Sequence, residues 1–223
     1  MSRRRKLEKF AEFAASRYAV QDPASLRGAW REKRFANNAP LVVELGCGKG
    51  EYVISLARQS SKKNFIGVDL KGDRLWAGAR TAARLKLQNA CFLKHNIAFL
   101  QDCFAAREIS EIWITFPDPF IGKRNPNRRL TSPFFMNIYQ HVITPSGILH
   151  FKTDNTELFE YTREVLKSME ACIQVCYDDL YATSLDDMLL TIPTTYENKF
   201  RAKGETIKYI RFTLPHAQPL AQE

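Results

Sequence analysis

Asp118 stands between two prolines, and the run that contains it, FPDPFIGKRNPNRR (residues 116–129), supplies the cations Lys123, Arg124, Arg128 and Arg129 within eleven positions of it. One carboxylate in a stiff turn beside a guanidinium cluster suits three roles. Asp118 could take a proton, accept hydrogen bonds from a substrate base, or simply shape a turn. A second constellation lies upstream in Glu44-Leu-Gly46-Cys-Gly48-Lys-Gly50. Glycines at such positions let a ligand approach the backbone without a Cβ clash. The dinucleotide fingerprint G-x-G-x-x-G does not fit, because the third glycine comes one residue early and the sixth position is Glu51. A glutamate at a helix N-terminus would repel a pyrophosphate.

The elements that must position these residues alternate along the chain. Residues 5–19 have apolar side chains near helical spacing, and 20–39 read as a basic loop. Short apolar runs at LVVEL (41–45), NFIGVD (64–69), CFLK (91–94), EIWITF (111–116) and GILHFKT (147–153) have the composition of buried parallel strands. Helical patterns fill the gaps at 51–58, 72–87, 131–143 and 155–169, and two more strands are expected near 171–178 and 206–214. Such alternation predicts an α/β fold, a mostly parallel seven-stranded sheet with helices on both faces. Ligands of these sheets lie at the carboxyl ends of the strands. Glu44, Asp69, Asn96, Asp118 and Asp154 all fall at those ends.

The pattern E-x-G-x-G-x-G after the first strand resembles the nucleotide loop of class I S-adenosylmethionine-dependent methyltransferases, a Rossmann-like superfamily. That resemblance implies S-adenosylmethionine as cofactor. Glu44 then serves its cationic methionine end, Gly46, Gly48 and Gly50 bind it through close backbone approach, Asp69 serves its ribose hydroxyls, and Asn96 its adenine amino group. Beyond the fourth strand, Asp118-Pro119-Phe120 matches the [D/N/S]-P-P-[Y/F/W] turn of nucleic-acid amino-methyltransferases only loosely. F-P-D-P-[W/F] followed by a basic run and R-R-L is similar to the bacterial tRNA (guanine-N7-)-methyltransferases. Their T-D and T-x-[Y/F]-E motifs are Thr153-Asp154 and Thr194-Thr195-Tyr196-Glu197, with Phe200, Arg201 and Gly204 beyond. The resemblance spans roughly residues 40–214. It implies methyl transfer to N7 of a guanine in the tRNA variable loop, with Asp118 at the reacting pair and also among the cofactor contacts. Lys123, Asp154 and Thr194 to Glu197 become substrate residues, and Arg124, Arg128 and Arg129 contacts to the tRNA backbone. Three positions depart from the family: Gly122 stands where a lysine is usual, with Lys123 next to it; Phe120 replaces tryptophan; Asn96 replaces an acid. Phe116 and Phe120 are either stacking surfaces for the base or core.

Composition agrees with a polyanionic partner. The chain has 33 Lys and Arg against 24 Asp and Glu, a formal charge of +9. Residues 1–34 hold ten Lys/Arg and four Asp/Glu, so they carry +6 of that total. Residues 1–38 are therefore read as a basic helical extension, 39–217 as the methyltransferase domain and 218–223 as a tail. Five scattered cysteines without a C-x-x-C pair and four histidines without ligand spacing predict no metal site and reduced thiols. No apolar run reaches the length of a membrane span and no signal-peptide pattern opens the chain, so a cytoplasmic monomer or homodimer is expected. The competing readings are a same-fold methyltransferase acting on an exocyclic amine or another RNA, and a non-catalytic RNA-binding module.

Overall fold

The computed structural model describes residues 3–120, 126–182, 190, 192 and 194–215. Its elements run α1 (Arg3–Ala14), β1 (Ala19–Val20), β2 (Leu41–Leu45), α2 (Glu51–Gln59), β3 (Asn64–Asp69), α3 (Gly72–Arg84), β4 (Ala90–Lys94), β5 (Ile109–Thr115), α4 (Pro133–Val142), β6 (Ile143–Thr153), α5 (Thr156–Ser168), β7 (Cys172–Tyr177), α6 (Thr195–Arg201) and β8 (Lys208–Thr213). The strands form one sheet in the order β1-β4-β3-β2-β5-β6-β8-β7. All neighbours are parallel except the pairs that involve β8. From β2 the chain winds outward in both directions, so the switch point lies between β2 and β5.

Strand alternation sends side chains into two cores, one on each face. On one face Val43, Leu45, Ile66, Ile112, Ile114 and Phe151 meet Met136 and Tyr139 of α4 and Phe159 and Leu166 of α5. On the other, Val42, Phe65, Phe92 and Trp113 meet Tyr52 and Leu56 of α2, Leu75 and Ala79 of α3 and Phe13 of α1. Each fully buried side chain of this size contributes about 1.5–3 kcal/mol through its removal from water.

The sheet has eight strands rather than seven. The additional strand, β1, is two residues long and pairs with β4 at the edge. It is too short to show a period of two. Residues 20–39 also differ from a plain loop, because Trp30 is buried within a short π-helical turn, Trp30–Arg34. Its ring stacks on Phe104 at 5.0 Å and its Nε1 donates to the Cys103 carbonyl at 2.8 Å. The Glu108 carboxylate accepts from the backbone N–H groups of Gly28, Trp30 and Ala105. The basic segment is thus fastened to the core by one tryptophan and one acid. Among the described residues no helix is long and apolar enough to cross a membrane.

Candidate active site

The glycine loop leaves β2 through three left-handed residues, Gly46, Gly48 and Gly50, with φ of 75°, 55° and 69°. Their uses differ. A Cβ on Gly50 would lie 2.3 Å from Cε1 of Phe92, so the placing of this third glycine follows from the core beneath it. A Cβ on Gly48 would meet nothing within 4 Å, so that backbone faces open space at the carboxyl end of the sheet. Asp69 ends β3 and holds the loop from the side: its Oδ2 accepts from Gly48 N–H at 2.9 Å and its Oδ1 from Lys71 N–H at 2.8 Å.

Glu44, at the end of β2, is 3% exposed. One carboxylate oxygen accepts from the Thr115 hydroxyl at 2.7 Å across the switch point, and the other from Val53 N–H at 3.2 Å. Burial pushes its pKa up to about 8, against those two hydrogen bonds, with the Asp69 and Glu51 carboxylates adding to the rise. Both direct donors to Glu44 are neutral groups. Asn96 is exposed, and its side-chain oxygen caps the turn after β4 by accepting from Ala98 N–H at 3.1 Å, which leaves one lone pair on that oxygen.

Across the crevice, Asp118 is exposed in the turn after β5. Both flanking phenylalanines have left-handed backbones, Phe116 at φ 48° and Phe120 at φ 43°, which is uncommon for bulky residues. Such strain costs about 1–3 kcal/mol per residue and persists only where the surroundings over-determine it. Arg129 over-determines the Phe120 side of the turn, and the Phe116 N–H donates to the Lys152 carbonyl at 2.9 Å. Arg129 is 5% exposed; its Nε donates to the Pro119 carbonyl at 3.0 Å, and its Nη2 to the Phe120 carbonyl at 3.3 Å and to Glu157 at 2.6 Å. The basic run therefore divides. Arg129, expected to meet the tRNA backbone, is turned inward, because two carbonyls and a carboxylate satisfy its guanidinium there. Arg128 is exposed and lies 4.6 Å over the Phe120 ring. Phe116 packs on Phe200 at 5.8 Å, at the border of the second core. Lys123 and Arg124 lie outside the described residues.

The T-T-Y-E segment forms the start of α6. Thr194 is its cap, with its hydroxyl accepting from Glu197 N–H at 3.1 Å. Glu197, expected to support the substrate pocket, is fully buried, and so is its partner Lys152 on β6. The ammonium donates to both carboxylate oxygens, at 2.8 and 2.9 Å, and to the Leu190 carbonyl at 2.6 Å. Tyr181 adds a hydroxyl donor to Glu197 at 2.7 Å. Burial lowers the pKa of Lys152, and Glu197 opposes that shift. The physical reason for this inward position is that a buried ammonium in the middle of the sheet requires a carboxylate. Thr195 donates twice to Glu51, and Tyr196 is 51% exposed. Asp154 is half-buried after β6, where burial raises its pKa. Thr115, Glu51, Lys152 and Glu157 were not among the expected site residues. Lys152 carried a signal, a cation next to the end of an apolar strand. Among the described residues no group of three or more His, Cys, Asp or Glu could hold a metal ion.

Known proteins resemble this chain in sequence and in fold. Residues 38–210 match the Methyltransf_4 family, described as "Putative methyltransferase". The crystal structure of the 16S rRNA methyltransferase KamB superposes with a TM-score of 0.63 over 82% of this chain and 92% of that one, at 14% identity. The antibiotic-resistance methyltransferase Kmr gives 0.59 over 89% and 95%, at 16% identity. These two establish the fold. The tRNA (guanine-N(7)-)-methyltransferase of Bacteroides thetaiotaomicron is 41% identical over 94% of this chain and 86% of its own length. The enzyme of that name from Christiangramia forsetii is 43% identical over 85% of both chains. With identity at this level over nearly the whole length, and the glycine loop, the strained acidic turn and the T-T-Y-E helix gathered around one switch point, the chain belongs to the tRNA (guanine-N(7)-)-methyltransferase family.

Proposed function

We propose that this protein transfers the methyl group of S-adenosylmethionine to N7 of a guanine in the variable loop of tRNA. The observation that carries the reading is the exposed Asp118, in a turn strained on both sides and stapled by Arg129, which follows β5, the strand next to the β2 that leads into the open backbone of Gly48. The site fits the cofactor on two counts: Gly48 borders open space, and Glu44 is a buried acid without a cationic hydrogen-bond donor. Glu44, Gly46, Gly48, Gly50, Asp69 and Asn96 would hold it, with Asp118 near the reacting end. When bound, S-adenosylmethionine supplies an electrophilic methyl group.

Guanine N7 is a lone-pair acceptor without a proton, so no residue has to act as a base in the transfer. The work of the chain is orientation and charge. Asp118 accepts hydrogen bonds from the acceptor guanine and offsets the positive charge that the purine gains. Asp154, Thr194, Thr195 and Tyr196 border the acceptor pocket, and Lys123 takes the part of the lysine absent at Gly122. Glu197 supports the pocket from within, through Lys152. Arg124, Arg128 and the cationic face of α1 meet tRNA phosphates. The protein acts in the cytoplasm, as a monomer or homodimer.

The reading is tested by incubating the enzyme with labelled S-adenosylmethionine and tRNA transcripts that have or lack the variable-loop guanine, then identifying the product nucleoside. N7-methylguanosine from the first transcript alone is expected. An N2- or N6-methyl nucleoside, or label in both transcripts, refutes it.

A further inference from the structure

Glu51 opens α2 directly after the last glycine of the cofactor loop. Its carboxylate reaches a residue 144 positions away, accepting from Thr195 N–H at 2.5 Å and from the Thr195 hydroxyl at 2.6 Å. The backbone N–H is one of the first-turn donors that a helix leaves without an internal partner. Both contacts are on the surface, whereas α6 is already fixed to the sheet by the buried Glu197–Lys152 pair two residues further on. The Glu51 contact is therefore not what keeps α6 in place. It joins α6 to the glycine loop. The path is continuous: Asp69 holds Gly48, the Gly50 N–H donates to the Cys47 carbonyl at 2.8 Å, and Glu51 follows Gly50 and grips Thr195.

We propose that Glu51 is a positioning residue that couples the two halves of the site, so that an occupied cofactor loop strengthens tRNA binding by setting the start of α6. The inference rests on the functional reading above in taking tRNA as the ligand on the α6 side. Coupling is reciprocal, and factors of about 5 to 150 are usual. Loss of the Glu51 carboxylate removes the connection while each half keeps its own ligand contacts.

The experiment measures the affinity of a tRNA transcript with and without saturating S-adenosylhomocysteine, for wild type, Glu51→Ala, Thr195→Val and Thr195→Ser. The ratio of the two affinities is read, so any direct contribution of Thr195 to tRNA binding cancels. Wild type is expected to show a ratio of about 5 or more. Glu51→Ala lowers it to under about 2, Thr195→Val lowers it part of the way because the N–H remains, and Thr195→Ser preserves it. A wild-type ratio of one overturns the proposal, as does a full ratio in Glu51→Ala. If Glu51→Ala fails to fold, an unchanged ratio in Thr195→Val has the same force. The two readings fail separately. Coupling without N7 methylation sinks the activity and leaves the connection standing; N7 methylation without coupling does the reverse.

Discussion

On the β3–β4 side of the crevice, contacts to backbone groups shape the site. Asp69 reaches Gly48 and Lys71, Asn96 reaches Ala98, and the glycines fold over Phe92. On the β5–β6 side, the site is assembled by long side chains joining segments far apart in the sequence. Arg129 ties the Asp118 turn to Glu157, and Lys152 ties β6 to Glu197 of α6. The first construction makes a fixed cradle from hydrogen bonds to backbone N–H groups and from close packing of glycine on an aromatic ring. The second makes a pocket whose geometry depends on ion pairs across 28 and 45 residues, so that charges inside the protein determine the shape presented outside.

The difference is tested most severely at Lys152. Lys152→Ala leaves Glu197 buried without its cation and should lower stability by about 3–5 kcal/mol. Urea unfolding checks it, and the double variant Lys152→Met with Glu197→Leu should recover most of the loss. A single variant as stable as wild type would show that the second half does not depend on its ion pair. Next in size, Asp118→Asn should reduce kcat by about 100-fold or more while leaving cofactor affinity nearly unchanged. Single-turnover kinetics with calorimetry separates the two, and unchanged turnover would remove Asp118 from the reaction.

The cofactor half has its own test in pH. Glu44 keeps its proton to a higher pH than the same residue in an unfolded chain. It therefore weakens the ligand-free fold progressively as pH rises from the ordinary carboxylate range through about 8. A cationic ligand favours the ionised form. S-adenosylhomocysteine, through its ammonium group, should thus bind roughly tenfold more tightly at pH 8 than at pH 6.5, and Glu44→Gln should flatten that profile. The smallest effects divide the basic run. Arg129→Ala should lower kcat by roughly tenfold through the loosened turn, at the scale of one lost charged hydrogen bond, with the salt dependence of tRNA binding intact. Arg128→Ala should instead reduce the salt slope by about 0.7–0.9.

The same contrast explains what was legible from sequence. Strand ends, the glycine loop and the parallel order follow from local periodicity and from apolar runs bounded by glycine, so Glu44, Asp69 and Asp118 fall at or just after strand ends as expected. The inward turn of Arg129 and Glu197 was not legible, because it depends on Pro119, Glu157 and Lys152, which only the fold brings near them. A basic run looks the same in sequence whether its members face phosphate or carbonyl. The third glycine, one residue early for a dinucleotide loop, has its reason in a ring 42 residues downstream, at Phe92. Trp30 and β1 were missed for the same cause, since their partners Phe104 and β4 lie far along the chain.

The two residues of β1 have a consequence for solubility. Val20 is buried, and Phe92 of β4 donates its N–H to the Tyr18 carbonyl at 2.7 Å, so the first forty residues close one border of the sheet as well as carrying charge. A chain shortened to begin at residue 39 would keep every glycine and acid of the crevice. It would also bare the outer hydrogen-bonding row of β4, a template on which other copies can align and aggregate. The N-terminal arm thus covers part of the outer border of β4.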